Sequence, residues 1–176
     1  MLTMTPDQAY LVLLVCALPI CAWVCWSDLK TMKIPNKAVM TLVAVWLIVG
    51  FLVFPFESWA WRWLNLLVVL VIGFGLNAVA NVGAGDAKFA AATAPFISSI
   101  HLGLVLPLVA AFLLGAFATH RILRAIPAVR AMTPDWVSWK RKDFPMGLAL
   151  VGTFVTYLVL MAFPALQGAL FASINM

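Results

Sequence analysis

Asp28 and Asp86 are the side chains in this sequence whose type and surroundings are best suited to chemistry. The chain has six acidic residues, and four of them, Asp7, Glu57, Asp135 and Asp143, lie near a terminus or between apolar runs, where a solvated charge is ordinary. Asp28 and Asp86 each adjoin the end of a long apolar segment, where an ionisable group is costly and marks function. Asp86 sits in Asn81-Val82-Gly83-Ala84-Gly85-Asp86-Ala87-Lys88, which places an acid, a base and two glycines between strongly apolar runs. Two carboxylates held close together cannot both ionise, so they share one proton and their apparent pKa values belong to the pair. The ionised member can take a proton from water while the protonated one polarises a carbonyl, which is how two aspartates hydrolyse a peptide bond. Gly83 and Gly85 remove side chains just ahead of Asp86, so the backbone can bend and an extended substrate can approach closely. Asn77 and Asn81, one helical turn apart, share a face that leads to Asp86.

The elements that must position these residues are membrane helices. Of 176 residues, 65% are hydrophobic and 10% charged, with a mean hydropathy of +1.09. A soluble domain carries about a quarter charged residues, so the main solvent of this chain is lipid. The net charge of +5 comes from short basic clusters between apolar runs, as topology signals are distributed, and no nucleic-acid-binding pattern accompanies it. Cys16, Cys21 and Cys25 have neither Cys-x-x-Cys nor zinc-ligand spacing and read as inert apolar packing. Met1 to Ala9 has no Lys or Arg, unlike the start of a cleaved signal, so the first apolar run is expected to stay as a span.

A helix crosses the hydrocarbon core in about 20 residues. Apolar runs predict an all-α, polytopic, single-domain protein with about six transmembrane helices, near residues 9–26, 38–54, 64–82, 87–100, 104–119 and 146–163. Lys30, Lys33 and Lys37 follow the first run, and a basic loop at 120–143 follows the fifth. Short cytoplasmic loops carry the Lys/Arg excess, and both clusters fall on one side only if the chain turns near His101. That favours six spans, with both termini outside the cytoplasm and Asp28, Asp86 and the basic loop inside. The span at 87–100, which contains Pro95, is the weakest element and the one expected to move. Trp59, Trp61 and Trp63 suit an interfacial belt. The basic loop, with Trp136 and Trp139 among its cations, suits a segment lying on an anionic membrane surface.

Lys88 either serves the aspartates or a substrate, or only sets topology; Lys30 and Lys33 are assigned to topology. Asn36 either orients Asp28 or, more simply, caps the second helix. His101 and His120 have no third ligand nearby, so neither a metal nor another cofactor is expected.

Two motifs carry a family resemblance. Gly83-Ala84-Gly85-Asp86-Ala87-Lys88 resembles the Gly-x-Gly-Asp-x-Lys signature of the type IV prepilin and preflagellin peptidases, and Asp28 through Ile34-Pro35-Asn36 resembles that family's first-aspartate motif. Pro145-Met146-Gly147 is similar to a weaker C-terminal motif, from which Met146 and Leu148 depart, and it is assigned no catalytic role. The resemblance implies a metal-free aspartic endopeptidase of the bacterial inner membrane, with catalytic Asp28 and Asp86. Gly83, Gly85, Lys88 and Asn36 would shape the site or bind substrate. Its partners would be membrane lipid and a prepilin or pseudopilin with a hydrophobic N-terminal helix, whose short basic leader is removed at the cytoplasmic face. Without paired Cys-x-x-Cys motifs, the chain resembles the short Tad/Flp-pilus type, which cleaves and does not methylate.

Three other readings compete. Intramembrane proteases of the presenilin type share Gly-x-Gly-Asp and a Pro-Ala-Leu motif, but six spans place Pro164-Ala165-Leu166 opposite both aspartates. A small transporter would use the two acids as cation sites, yet no repeat symmetry is visible. The third is a non-catalytic pilus or secretion assembly subunit.

Overall fold

A computed structural model of the chain describes residues 4–80 and 82–174. The protein is all-α, with no strand among the described residues. Helical stretches at Pro6–Thr31, Asn36–Val53, Phe56–Ala80 and Ser99–Ala125 are long and apolar enough to cross a membrane, and Met146–Ala162 is a shorter apolar helix. It is a multi-pass membrane protein.

Helix α1 (Pro6–Thr31) opens with a proline at its first position, where the missing N–H costs nothing. It does not stop near Trp26, as the apolar run suggests. Ser27 to Thr31 are polar yet compatible with helix: the Thr31 hydroxyl donates to the Ser27 carbonyl at 2.8 Å, and Lys30 suits the negative end of the helix dipole. The helix ends at Met32, which adopts a left-handed φ of 56° and donates its N–H to the Asp28 carbonyl. Asp28 therefore sits on a helix, in its last turn, and not in a loop.

A second rod follows from α2 (Asn36–Val45) through a π-helical turn (Trp46–Gly50) into α3 (Phe51–Val53). The turn accommodates fully buried Trp46, whose ring lies where a Cβ at Gly50 would be 2.9 Å away. The Trp46 carbonyl accepts from Trp59 Nε1 at 3.1 Å. Trp59 is on the short α4 (Phe56–Trp61), followed by α5 (Trp63–Ala80). Of the three tryptophans here, Trp61 is exposed, whereas Trp59 and Trp63 are half-buried and pack edge to face.

The expected span at 87–100 does not form as one helix. Helix α6 (Ala84–Thr93) stops ahead of Pro95, which cannot donate to a continuing ladder, and gives way to 3₁₀ turns at Ala94–Phe96 and Ser99–His101. The segment nevertheless follows α5 back along its length. Asn77 donates to the Val82 carbonyl, Ala87 fills the space beside Gly73, and Asn65 donates to the Ile97 carbonyl at 2.9 Å. Gly75, two residues on from Gly73, faces open space. Asn81, paired with Asn77 in the sequence reading, lies outside the described residues.

Irregular backbone at membrane depth survives only where protein satisfies it, and here it does. The Phe96 carbonyl receives Arg62, and the Ser98 N–H donates to the Tyr157 hydroxyl at 3.1 Å. That hydroxyl also meets Tyr10 and His101 Nδ1. Residues 91–96 are buried, so the segment expected to be weakest is irregular but pinned.

Helix α7 (Leu102–Ala125) runs beyond its expected end at residue 119, and α8 (Pro127–Met132) and a 3₁₀ turn at Val137–Trp139 lead to α9 (Met146–Ala162) and α10 (Pro164–Ile174). The core is the seam of α1 against α9, where Leu13, Ala17, Ile20 and Val24 meet the layer of Phe154 and Leu158, with α2 and α6 packed beside it. Helix α5 buries only Gly73. Its outward Val71 and Val79, 72% and 87% exposed, are apolar surface that lipid must cover.

Candidate active site

The end of α1 and the start of α6 meet around one cavity of about 300 Å³. Asp28 and Asp86 both line it, together with Lys33, Asn36, Lys88, Met32, Ile34 and the Gly83–Gly85 turn. The turn at Met32 brings α2 back beside α1, which places Ile34 and Asn36 on the wall. Gly83 precedes the first helical residue of α6, and Asp86 lies in that helix's first turn, where a carboxylate is favoured by the dipole.

Asp28 is 5% exposed, and its Oδ2 accepts the backbone N–H of Gly147 at 2.8 Å. Gly147 is in the first turn of α9, where N–H groups have no partner within the helix. A Cβ at Gly147 would stand 2.7 Å from Asp28 Oδ2, so only glycine permits this contact without displacement. Asp86 is half-buried. Burial first, and then the negative charge of Asp28, push its carboxyl up to about 6. An acid of that strength beside a second carboxylate can hold or release a proton near neutrality.

The six residues singled out from sequence, Asp28, Asp86, Gly83, Gly85, Lys88 and Asn36, all line this cavity, although their details differ from expectation. A Cβ at Gly83 would collide with the Asp86 carboxylate, whereas one at Gly85 would meet Ile34 Cβ at an ordinary 3.5 Å. Gly83 is therefore the tighter constraint. Asn36 does not cap α2: it is the first helical residue, Pro35 holds the cap position, and no side-chain cap bond forms. Lys33, assigned to topology, lines the cavity with Lys88, whereas Lys30 is exposed and does not.

Sequence reasoning missed Gly147. The contact is made by a backbone N–H, which side-chain identity does not announce, and the departures at Met146 and Leu148 weakened the one signal present, the likeness of Pro145-Met146-Gly147 to a family motif.

The basic loop also packs against the helix bundle. Trp139 is 8% exposed and stacks on His120 at 5.1 Å, Trp136 stacks on Trp139, and Trp26 meets Trp136 edge-on. Arg121 and Arg124 donate to the Lys142 and Arg141 carbonyls. Those bonds fold the loop over the ends of α1 and α7, beside Leu29 and Leu148. His120 is 1% exposed, and neither ring nitrogen has a partner among the described residues.

A family model described as the type IV leader peptidase family matches residues 12–120, more than half of the chain. Both aspartates fall inside the matched stretch and Gly147 outside it. No curated protein and no solved structure matches the chain.

Proposed function

The chain belongs to the type IV leader peptidase family, and from that premise we propose that it is an aspartic endopeptidase removing the leader of prepilin-like substrates at the cytoplasmic face of a bacterial inner membrane. The carrying observation is that Asp28 and Asp86, from separate motifs on separate helices, line one cavity. In this reading the Asp28 carboxylate, oriented by the Gly147 N–H, takes a proton from water. The resulting hydroxide attacks the scissile carbonyl carbon while protonated Asp86 donates to the carbonyl oxygen. Collapse of the resulting gem-diol breaks the C–N bond: the proton held by Asp28 passes to the leaving amine, and one gem-diol hydroxyl returns its proton to Asp86 as the new carboxyl forms. Lys88 and Asn36, on the cavity rim, contact the substrate. The three cysteines include no Cys-x-x-Cys pair, which supports the short type that cleaves without methylating.

Co-expression with a candidate prepilin, followed by N-terminal sequencing of the product, tests the activity. A product starting at the first residue after the leader supports it, and an uncleaved prepilin in membranes containing the inserted protein rejects it.

The pair works with one proton, so activity depends on pH with a definite sign. Asp86 loses its proton as pH rises through about 6, so kcat/KM should fall on the alkaline side with a limb centred near that value. The limb reports the pair and not one residue. A rate flat from pH 5 to pH 8 would remove Asp86 as the acid.

The glycines should separate by severity. Gly83→Ala places a Cβ against the Asp86 carboxylate and should slow cleavage roughly 10- to 100-fold. Gly85→Ala makes only ordinary contact with Ile34 and should cost much less. Gly85→Val adds two methyls to a Cβ already 3.5 Å from Ile34 Cβ and should impair cleavage. Kinetics on the three variants check the order, and equal loss in Gly83→Ala and Gly85→Ala would contradict it.

A further inference from the structure

Asn36 and Lys88 line two spaces at once. On one side is the cavity holding Asp28 and Asp86, and on the other is an apolar groove of about 420 Å³. The floor of the groove is Ala91 and Ala92 of α6, 2% and 1% exposed. Its walls are Val39 and Val43 of α2 and Leu66 and Leu70 of α5. Helices α2 and α6 both run away from the cavity, so the groove follows them from the polar site into the membrane. Alanines on the floor leave room for another helix to approach closely, which is how helices associate in lipid. From Asn36 to Val43 the wall rises about 10 Å, or two helical turns.

Two other apolar hollows, one around Val69 and Leu106 and one around Phe112 and Gly152, share no residue with the cavity. Continuity with the aspartates is thus what distinguishes the groove between α2 and α5.

We propose that this groove seats the apolar helix of the substrate, so that the bond just ahead of that helix is delivered past Asn36 and Lys88 to the aspartate pair. The inference rests on the leader-peptidase reading and adds where the enzyme holds its substrate. Beyond Asn36 and Lys88 its lining is apolar, so it selects for an apolar helix within two turns of the scissile bond. A soluble peptide that ends before such a helix forgoes the contact.

Photo-crosslinking tests the groove without requiring turnover. A p-benzoylphenylalanine is placed at Met40, a groove residue 63% exposed, or at Leu106 in the hollow against α7, 64% exposed. Membranes carry a full-length prepilin, and the enzyme bears Asp86→Asn to keep the substrate intact. The expected result is an adduct from Met40 to the first two turns of the prepilin helix, at least fivefold stronger than from Leu106. Adducts from Met40 only to lipid or to a second copy of the enzyme, or equal adducts at both positions, overturn the proposal.

Ala92→Leu supplies a kinetic reading in active enzyme. The ratio of full-length prepilin cleavage to cleavage of a peptide ending three residues past the scissile bond should drop at least tenfold, and an unchanged ratio overturns the proposal. Should the wild-type enzyme cleave neither substrate, the peptidase reading fails, and the crosslink still decides what occupies the groove.

Discussion

Asp28→Asn and Asp86→Asn should each abolish leader removal, lowering the cleavage rate by at least ~10³-fold while the protein still inserts in the membrane. Asparagine keeps the shape of aspartate but cannot cycle a proton. In the proposed roles, the Asp28→Asn variant has no base to take a proton from water, and the Asp86→Asn variant has no acid to give the carbonyl oxygen. The two single losses should be of similar size and far from additive in the double variant, because each already breaks the unit. N-terminal sequencing of prepilin from membranes with matched enzyme levels is the measurement. Survival of cleavage in either variant would dismiss the dyad.

A stability measurement separates lost chemistry from lost folding. Asp86 is pushed up to about 6 by burial, then by Asp28, so the fold disfavours its ionised form. That cost is absent below the ordinary carboxylate range near 4, grows as pH rises towards 6, and is fully present above it. Asp86→Asn removes the cost, so its melting temperature should equal or exceed wild type at pH 7.5, with the difference vanishing at pH 4. A lower melting temperature at pH 7.5 would show that the carboxylate is structural.

Gly147→Ala should reduce kcat roughly 100-fold with little change in KM. The new Cβ would stand 2.7 Å from Asp28 Oδ2, closer than non-bonded carbon and oxygen tolerate, so the carboxylate or the start of α9 must shift. A shift of about an ångström in a catalytic base is enough for such a loss. Substrate contacts elsewhere are untouched, hence the stable KM. Single-turnover kinetics on purified enzyme give the split, and a kcat within twofold of wild type would show that the Gly147 contact does not position Asp28.

Much of the site was legible because rare residue types carry information in an apolar chain. With only six acids available, two at the ends of apolar runs stand out, one of them behind paired glycines, and both face the same cavity. The helices were legible for the same reason, since a run of apolar residues in lipid has no alternative to a helix that satisfies its own backbone. Their ends were less so. Ser27–Thr31 continue α1 although their composition reads as loop, because polarity alone does not break a helix when Thr31 and Lys30 support its last turn.

The break at Pro95 is written in the sequence, but its consequence is not. A proline in a short apolar run suggests a mobile element, whereas Arg62, Asn65 and Tyr157, remote in the chain, reach the Phe96 and Ile97 carbonyls and the Ser98 N–H. Likewise, the composition of the basic loop suits a membrane surface but does not announce that Trp139 stacks on His120.

By itself, the sequence determined the class of molecule and its helical construction and singled out two carboxylates, because composition and period are local properties that lipid enforces strictly. Tertiary structure alone decided that Asp28 and Asp86 share a cavity, that Gly147 rather than Asn36 contacts Asp28, and that Gly83 rather than Gly85 is the crowded glycine. Those outcomes depend on how α1, α6 and α9 dock. Docking is set by small residues and backbone N–H groups, whose partners lie far away in the chain.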